Sequence, residues 1–249
     1  MTPGLAASMD HSSARSTVAS LSVSSPSGRH PRSPLRPGSA TLQVYVGTMA
    51  GVALGFARDV SLSAKFGTTF QSDAYFLAFA LPTFVWLSMS TVLQSVFIPL
   101  YASLEVRSGV DDARAFARGG ILFLSAAFGA LALVYAVATP QLLQLFDRGR
   151  TDQTYLLAVK LSHVMAPILV LSVLSSLFSC LLYLNGQYLL PAFASSLLNG
   201  AILVGVFYPG ASISAVAVGT VAGFLLQVLV FFVALCLNDH SYRHWRRGP

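Results

Sequence analysis

The sequence predicts an all-α, polytopic membrane protein built as a bundle of six transmembrane helices. Its 249 residues are 55% hydrophobic and 10% charged, with a mean hydropathy of +0.68, whereas soluble domains carry about 25% charged residues. Lys, Arg, Asp and Glu are absent from 74–104, from 119–146 and from 161–238. A spanning helix takes about 20 apolar residues, so the first two gaps each hold one helix and the third holds three. Transmembrane strands would alternate polar and apolar residues over segments of about ten, and these runs do not alternate.

Residues 1–40 are a different material, with eleven serines, five prolines, four arginines and one acid, Asp10. Without apolar periodicity they are expected to be a disordered cytoplasmic tail, or alternatively an acid-poor organellar targeting peptide. The transmembrane bundle is expected over 41–238, and a short basic cytoplasmic tail over 239–249. The first helix, 42–66, is the apolar run that carries Arg58 and closes at Phe66-Gly67. The second, 73–104, and the third, 115–145, fill the first two charge-free gaps, with polar connectors at 68–72 and 147–152. The remaining run divides into helices at 154–184, 189–208 and 213–237, because Asn185-Gly186-Gln187 and Pro209-Gly210 carry turn chemistry. Sequential helices are expected to pack as hairpins.

Orientation follows from the distribution of Lys and Arg, which cytoplasmic loops retain. With both termini inside, the inner face receives Arg15, Arg29, Arg32 and Arg36, then Arg107, Arg114 and Arg118, then Arg243, Arg246 and Arg247. The outer face receives only Lys65, Arg148 and Arg150. This basic excess flanks apolar runs and forms no continuous basic face, which speaks against a nucleic-acid partner. Both cysteines, Cys180 and Cys236, fall inside expected helices and imply no disulfide framework. No Cys/His spacing for a metal, no phosphate-binding glycine loop and no nucleophile-base pair stands out, so no cofactor and no enzyme activity are expected. Asp111 and Asp112 are expected to be solvated loop acids.

Arg58 is the most informative residue. About fifteen residues separate it from the start of its helix, about 22 Å of rise against a core of about 30 Å, which places it within the membrane. A cation there faces water, a partner or a ligand, or it pairs with Asp59 and snorkels to the headgroups. Asp73 opens the second helix, where it either complements the helix dipole or serves as an acidic partner of Arg58. Lys160 and His163 share one helix face and are candidates for ion coupling, with a hydrogen-bonded structural histidine as the alternative. Gln94, Asn199 and Gln227 either bond neighbouring helices or line a polar path. Pro82, Pro99, Pro167 and Pro191 are expected to bend helices, and Gly119-Gly120, Gly200 and Gly223 to let helices approach closely.

Several segments together resemble the MurJ (MviN) family of lipid II flippases. These are Leu54-Gly55-Phe56-Ala57-Arg58-Asp59, Phe66-Gly67, Asp73-Ala74-Tyr75-Phe76-Leu77-Ala78-Phe79 and Leu81-Pro82, followed by Asn185, Pro191-Ala192-Phe193-Ala194 and Leu197-Leu198-Asn199. The resemblance spans about 45–238 and implies one lobe of a MATE/MOP-type transporter, the amino-terminal six-helix lobe. It implies a polyprenyl-pyrophosphate-linked envelope precursor as cargo, the inner (plasma) membrane as location, and Arg58, Asp59 and Asp73 as cavity residues. Where the family often places further arginines, this chain has Val52 and the segment Val85-Trp86-Leu87. Fewer cations weaken pyrophosphate binding. A related lipid-linked oligosaccharide therefore becomes a candidate cargo, as does a non-transporting scaffold role in envelope polysaccharide assembly, or ion-coupled antiport. Alternating access needs two bundles, so a second bundle is the expected partner, either a second copy or a separate carboxy-terminal half, alongside membrane lipids.

Overall fold

A computed structural model describes residues 37–146, 152–210 and 212–246, with side chains described over 41–144, 153–210 and 212–237. Residues 1–36, 147–151, 211 and 247–249 lie outside the described residues; of the tail expected over 1–40, residues 37–40 already belong to the first helix, and of the basic tail expected over 239–249, residues 239–246 continue the last one. The described residues are all helical or in short connections. They form α1 (Pro37–Phe66), α2 (Phe70–Ser108), α3 (Val110–Phe146), α4 (Asp152–Met165), α5 (Ile168–Leu184), α6 (Leu189–Ala192), α7 (Ala194–Phe207) and α8 (Ile213–Arg246). The expected fourth helix is therefore two, α4 and α5, and the expected fifth is likewise α6 and α7.

Each division has a local cause. Pro167 has no amide to donate into α4, and α4 and α5 meet there at 41°. Pro191 lies in the single turn of α6, and the chain leaves it through Phe193. By contrast α2 continues through Pro82 and Pro99, and α3 through Pro140. The connector between α1 and α2 is shorter than expected, because 70–72 already belong to α2. Gly67 turns the chain there at φ +57° and donates its amide to the Ser63 carbonyl at 2.9 Å. Gly109, at φ +97°, separates α2 from α3, so both helices run beyond the apolar stretch into the charged segment around Arg107 and Arg114.

Among the described residues three helices are long and apolar enough to cross a membrane: Phe70–Ser108, Val110–Gln144 and Ile213–Leu237. The bent α4 and α5 make a fourth when taken as one span. Apolar exposure supports a lipid environment: Leu122, Phe123, Leu133 and Val137 of α3 are each more than 70% exposed, an arrangement that water would oppose. Inside the bundle, Leu161, Met165, Ile168, Ile202, Val206 and Phe224 form a closed apolar core. Neutral polar pairs join helices across it. Tyr75 Oη and Thr220 Oγ1 lie 3.0 Å apart, Ser90 and Ser176 Oγ 2.8 Å apart, and Gln227 Nε2 donates to Ser175 Oγ at 2.6 Å. Gln227 thus bonds a neighbouring helix, whereas Gln94 is exposed.

Close helix approach is made mostly by glycines other than those singled out in the sequence. Gly47, Gly51 and Gly55 fall every four residues on α1 and press against Ala192, Ser195 and Asn199 in the same order. The two segments therefore run parallel. A methyl group on Gly51 would lie 2.3 Å from Ser195 Oγ, and one on Gly47 2.6 Å from Ala192 Cβ. Gly205, Gly219 and Gly223 play the same part between α7 and α8, each with a neighbour at 3.0 Å from such a methyl. Of the glycines expected to allow close approach, Gly223 does so, Gly120 sits in ordinary contact with Phe97, and Gly119 and Gly200 face open space.

Candidate functional site at the α1–α7 seam

The glycine seam determines where Arg58 points. Because Gly55 has no side chain, Asn199 of α7 fits beside α1, and its Nδ2 donates to the Gly51 carbonyl at 3.1 Å. Asn199 is 7% exposed, so its amide is held on both sides. Its Oδ1 accepts from Arg58 Nη1 at 3.0 Å. Arg58 Nε and Nη2 both donate to Asp59 Oδ1, at 2.9 and 2.8 Å. A guanidinium has five N–H donors. Three are used, leaving one on each terminal nitrogen of a side chain that remains 23% exposed. The guanidinium is thus fixed by two partners and still presents two donors to an anionic oxygen.

Depth can be measured along two helices. Arg58 lies eight residues before the end of α1, and Asn199 eight before the end of α7, each about 12 Å of rise. Those helix ends are tied together by Lys65, whose Nζ donates to the Val206 carbonyl in the last turn of α7, satisfying an acceptor that the helix leaves open. Arg58 therefore sits more than two helical turns below the paired ends.

The other candidates lie elsewhere. Asp73 is exposed in the first turn of α2, with Thr69 at the capping position. It is near its helix end while Arg58 is about 12 Å from its own, and the two form no ion pair; the carboxylate on Arg58 is that of Asp59. Lys160 is exposed on α4, and His163 on the same face bonds through Nε2 to the Ala136 carbonyl of α3 at 2.8 Å. Among the described residues no group of three or more His, Cys, Asp or Glu is placed to hold a metal. Asn199, which the sequence offers only as a polar residue in an apolar helix, is the member of the site that becomes visible through the fold. Its replacement by Ala removes the acceptor of Arg58 Nη1 and the side-chain bond to the Gly51 carbonyl, which keeps its helical partner. We expect a loss of about 1–3 kcal/mol, read as a lower unfolding midpoint in detergent; an unchanged midpoint would show that the amide does not hold Arg58.

Comparison with known proteins agrees with this architecture. The family model described as lipid II flippase MurJ matches residues 62–245, beginning just after Arg58. The chain is 28% identical over 200 residues to the lipid II flippase MurJ of Thermosipho africanus (strain TCF52B), covering 79% of this chain and 41% of that protein. It is 27% identical over 198 residues to that of Burkholderia cenocepacia, covering 77% of this chain and 38% of that protein. A solved structure of lipid II flippase MurJ in an inward closed conformation superposes with a TM-score of 0.68 at 25% identity, over 77% of this chain and 41% of that one. The chain thus spans about two fifths of the length of these relatives. A family match over most of the chain, on a helical bundle with the same arrangement, shows that this chain belongs to the MurJ lipid II flippase family of membrane transporters.

Proposed function

We propose that this chain forms one helical lobe of a flippase that carries a polyprenyl-pyrophosphate-linked envelope precursor from the cytoplasmic to the outer leaflet. The observation that carries this reading is Arg58, held below the helix ends with two N–H donors unused. A pyrophosphate crossing an apolar core needs such donors, because its charge is costly to desolvate without them. In this reading α1 and the α6–α7 pair cross the membrane as well, giving six crossings, with both basic ends of the chain on the cytoplasmic side. A second bundle faces this one and supplies the moving surface that alternating access requires.

The Asp59 carboxylate supports a second reading, because it neutralises Arg58, and Val52 and the segment Val85-Trp86-Leu87 stand where the resemblance leads one to expect further arginines. A neutral pair suits a scaffold that binds lipid-linked precursors weakly and does not move them. Expression of the chain in cells whose resident flippase can be shut off separates the two. Outer-leaflet precursor, measured by its accessibility to an externally added precursor-cleaving enzyme, is expected to recover when a second bundle is present. Full assembly of the complex with no recovery would favour the scaffold.

A further inference from the structure

Two prolines in the spanning helices each release a carbonyl, and each released carbonyl is taken up by a side chain from the next helix. Pro82 in α2 has no N–H for the carbonyl four residues earlier, that of Ala78, and Pro140 in α3 has none for that of Ala136. The Tyr135 hydroxyl of α3 donates to the Ala78 carbonyl at 3.2 Å. His163 Nε2 of α4 donates to the Ala136 carbonyl at 2.8 Å. A carbonyl is acceptor only, so His163 carries its proton on Nε2, and the bond is made by the neutral ring and the imidazolium alike. Ala78 is fully buried and Tyr135 is 6% exposed, so water offers no alternative partner there. Pro99 is the contrast: it releases the Ser95 carbonyl on an exposed stretch of α2, and among the described residues no side chain caps it.

We infer that Tyr135 and His163 are proline caps that take up the carbonyls released in α2 and α3 and join α2, α3 and α4 into one mechanical unit. The two caps meet on neighbouring residues of α3, since Tyr135 is the donor toward α2 and Ala136 the acceptor from α4. A shift of α3 that moves Ala136 also moves the ring that holds Ala78. The α1–α7 seam, by contrast, closes on glycines and has no such cap. The inference is independent of what the chain transports. It also gives His163 a positioning role that requires no change in protonation.

The test exploits the cause. Pro140→Ala restores an amide that can bond to the Ala136 carbonyl and makes His163 redundant; Pro82→Ala does the same for Tyr135. Unfolding of the full chain in detergent or nanodiscs is measured for His163→Ala and Tyr135→Phe, each with the proline present and with it replaced. With proline present, each variant is expected to lower the folded-to-unfolded ratio by about 3-fold to 30-fold. With proline replaced, the same variants should change it by less than about 2-fold. Should a single variant fail to fold, the paired proline replacement is expected to restore folding. Equal losses in both backgrounds, or failure of the proline replacement to restore folding, would overturn the inference.

Discussion

Arg58→Ala is expected to reduce outer-leaflet delivery of the lipid-linked precursor by about 100-fold or more. A hydrogen bond from a charged donor is worth about 1.5–3 kcal/mol, and Arg58 keeps two N–H donors that Asp59 and Asn199 do not use. Losing both at the step where pyrophosphate enters the apolar region adds several kcal/mol to the barrier, at a factor of ten for every ~1.4 kcal/mol. Arg58→Lys keeps the charge but replaces a planar fork with a point donor. It cannot hold Asp59, Asn199 and an anion in the same geometry, so its delivery rate should fall between those of the parent and the alanine variant. Membrane insertion and unfolding of both variants are measured alongside, because Arg58 also bonds Asn199. Delivery at the parent rate by a correctly folded Arg58→Ala chain would remove this residue from the mechanism, and with it the main support for transport by this lobe.

Much of the fold is legible in the sequence because the bilayer imposes a simple rule. Charges are excluded from long stretches, so the gaps at 74–104, 119–146 and 161–238 outline the spanning segments before any packing is known. The helix ends at Phe66, Leu184 and Ile213 coincide with the expected ones, each beside a glycine-containing turn. What the apolar pattern misses is where a helix continues into water: α2 and α3 extend around Gly109 through charged residues that carry no hydropathy signal. The bend expected at Pro167 is present, at 41°, but the pattern does not say that it divides the helix, since a proline inside an apolar run can also be absorbed, as at Pro82.

The site is legible only in part. Arg58 and Asp59 declare themselves as charges in an apolar helix, and they do pair. Asp73 is placed near them by sequence order, but its depth differs, and depth depends on where α2 begins. Asn199 is 141 residues from Arg58 and reaches it because α1 and α7 lie parallel, a tertiary relation that no local pattern encodes. The signal that could have found it is the four-residue spacing of Gly47, Gly51 and Gly55, which marks the face of α1 that another helix must approach.

That seam makes Gly51, whose carbonyl holds Asn199, a position where a minimal substitution should disturb both the packing and the site. In Gly51→Ala the new methyl would fall 2.3 Å from Ser195 Oγ and 3.0 Å from Ser195 Cβ, inside contact distance for both. The serine hydroxyl can rotate away, but its Cβ cannot, so α1 and α7 must separate. Overpacking of this kind costs about 1–3 kcal/mol, and Gly51→Leu should prevent the two helices from closing. Separation also stretches the Asn199 bond to the Gly51 carbonyl and lifts Asn199 away from Arg58, so the variant should lose precursor delivery even where it still folds. Gly129→Ala and Gly200→Ala serve as controls: their added methyl groups meet nothing within 4 Å, and alanine should stabilise these helical positions by about 0.5–1 kcal/mol. The expected order of unfolding midpoints is therefore Gly129→Ala and Gly200→Ala at or above the parent, Gly51→Ala clearly below it, and Gly51→Leu lowest. A Gly51→Ala chain as stable as the controls would mean that α1 does not lie this close to α7, and the placement of Arg58 against Asn199 would fall with it.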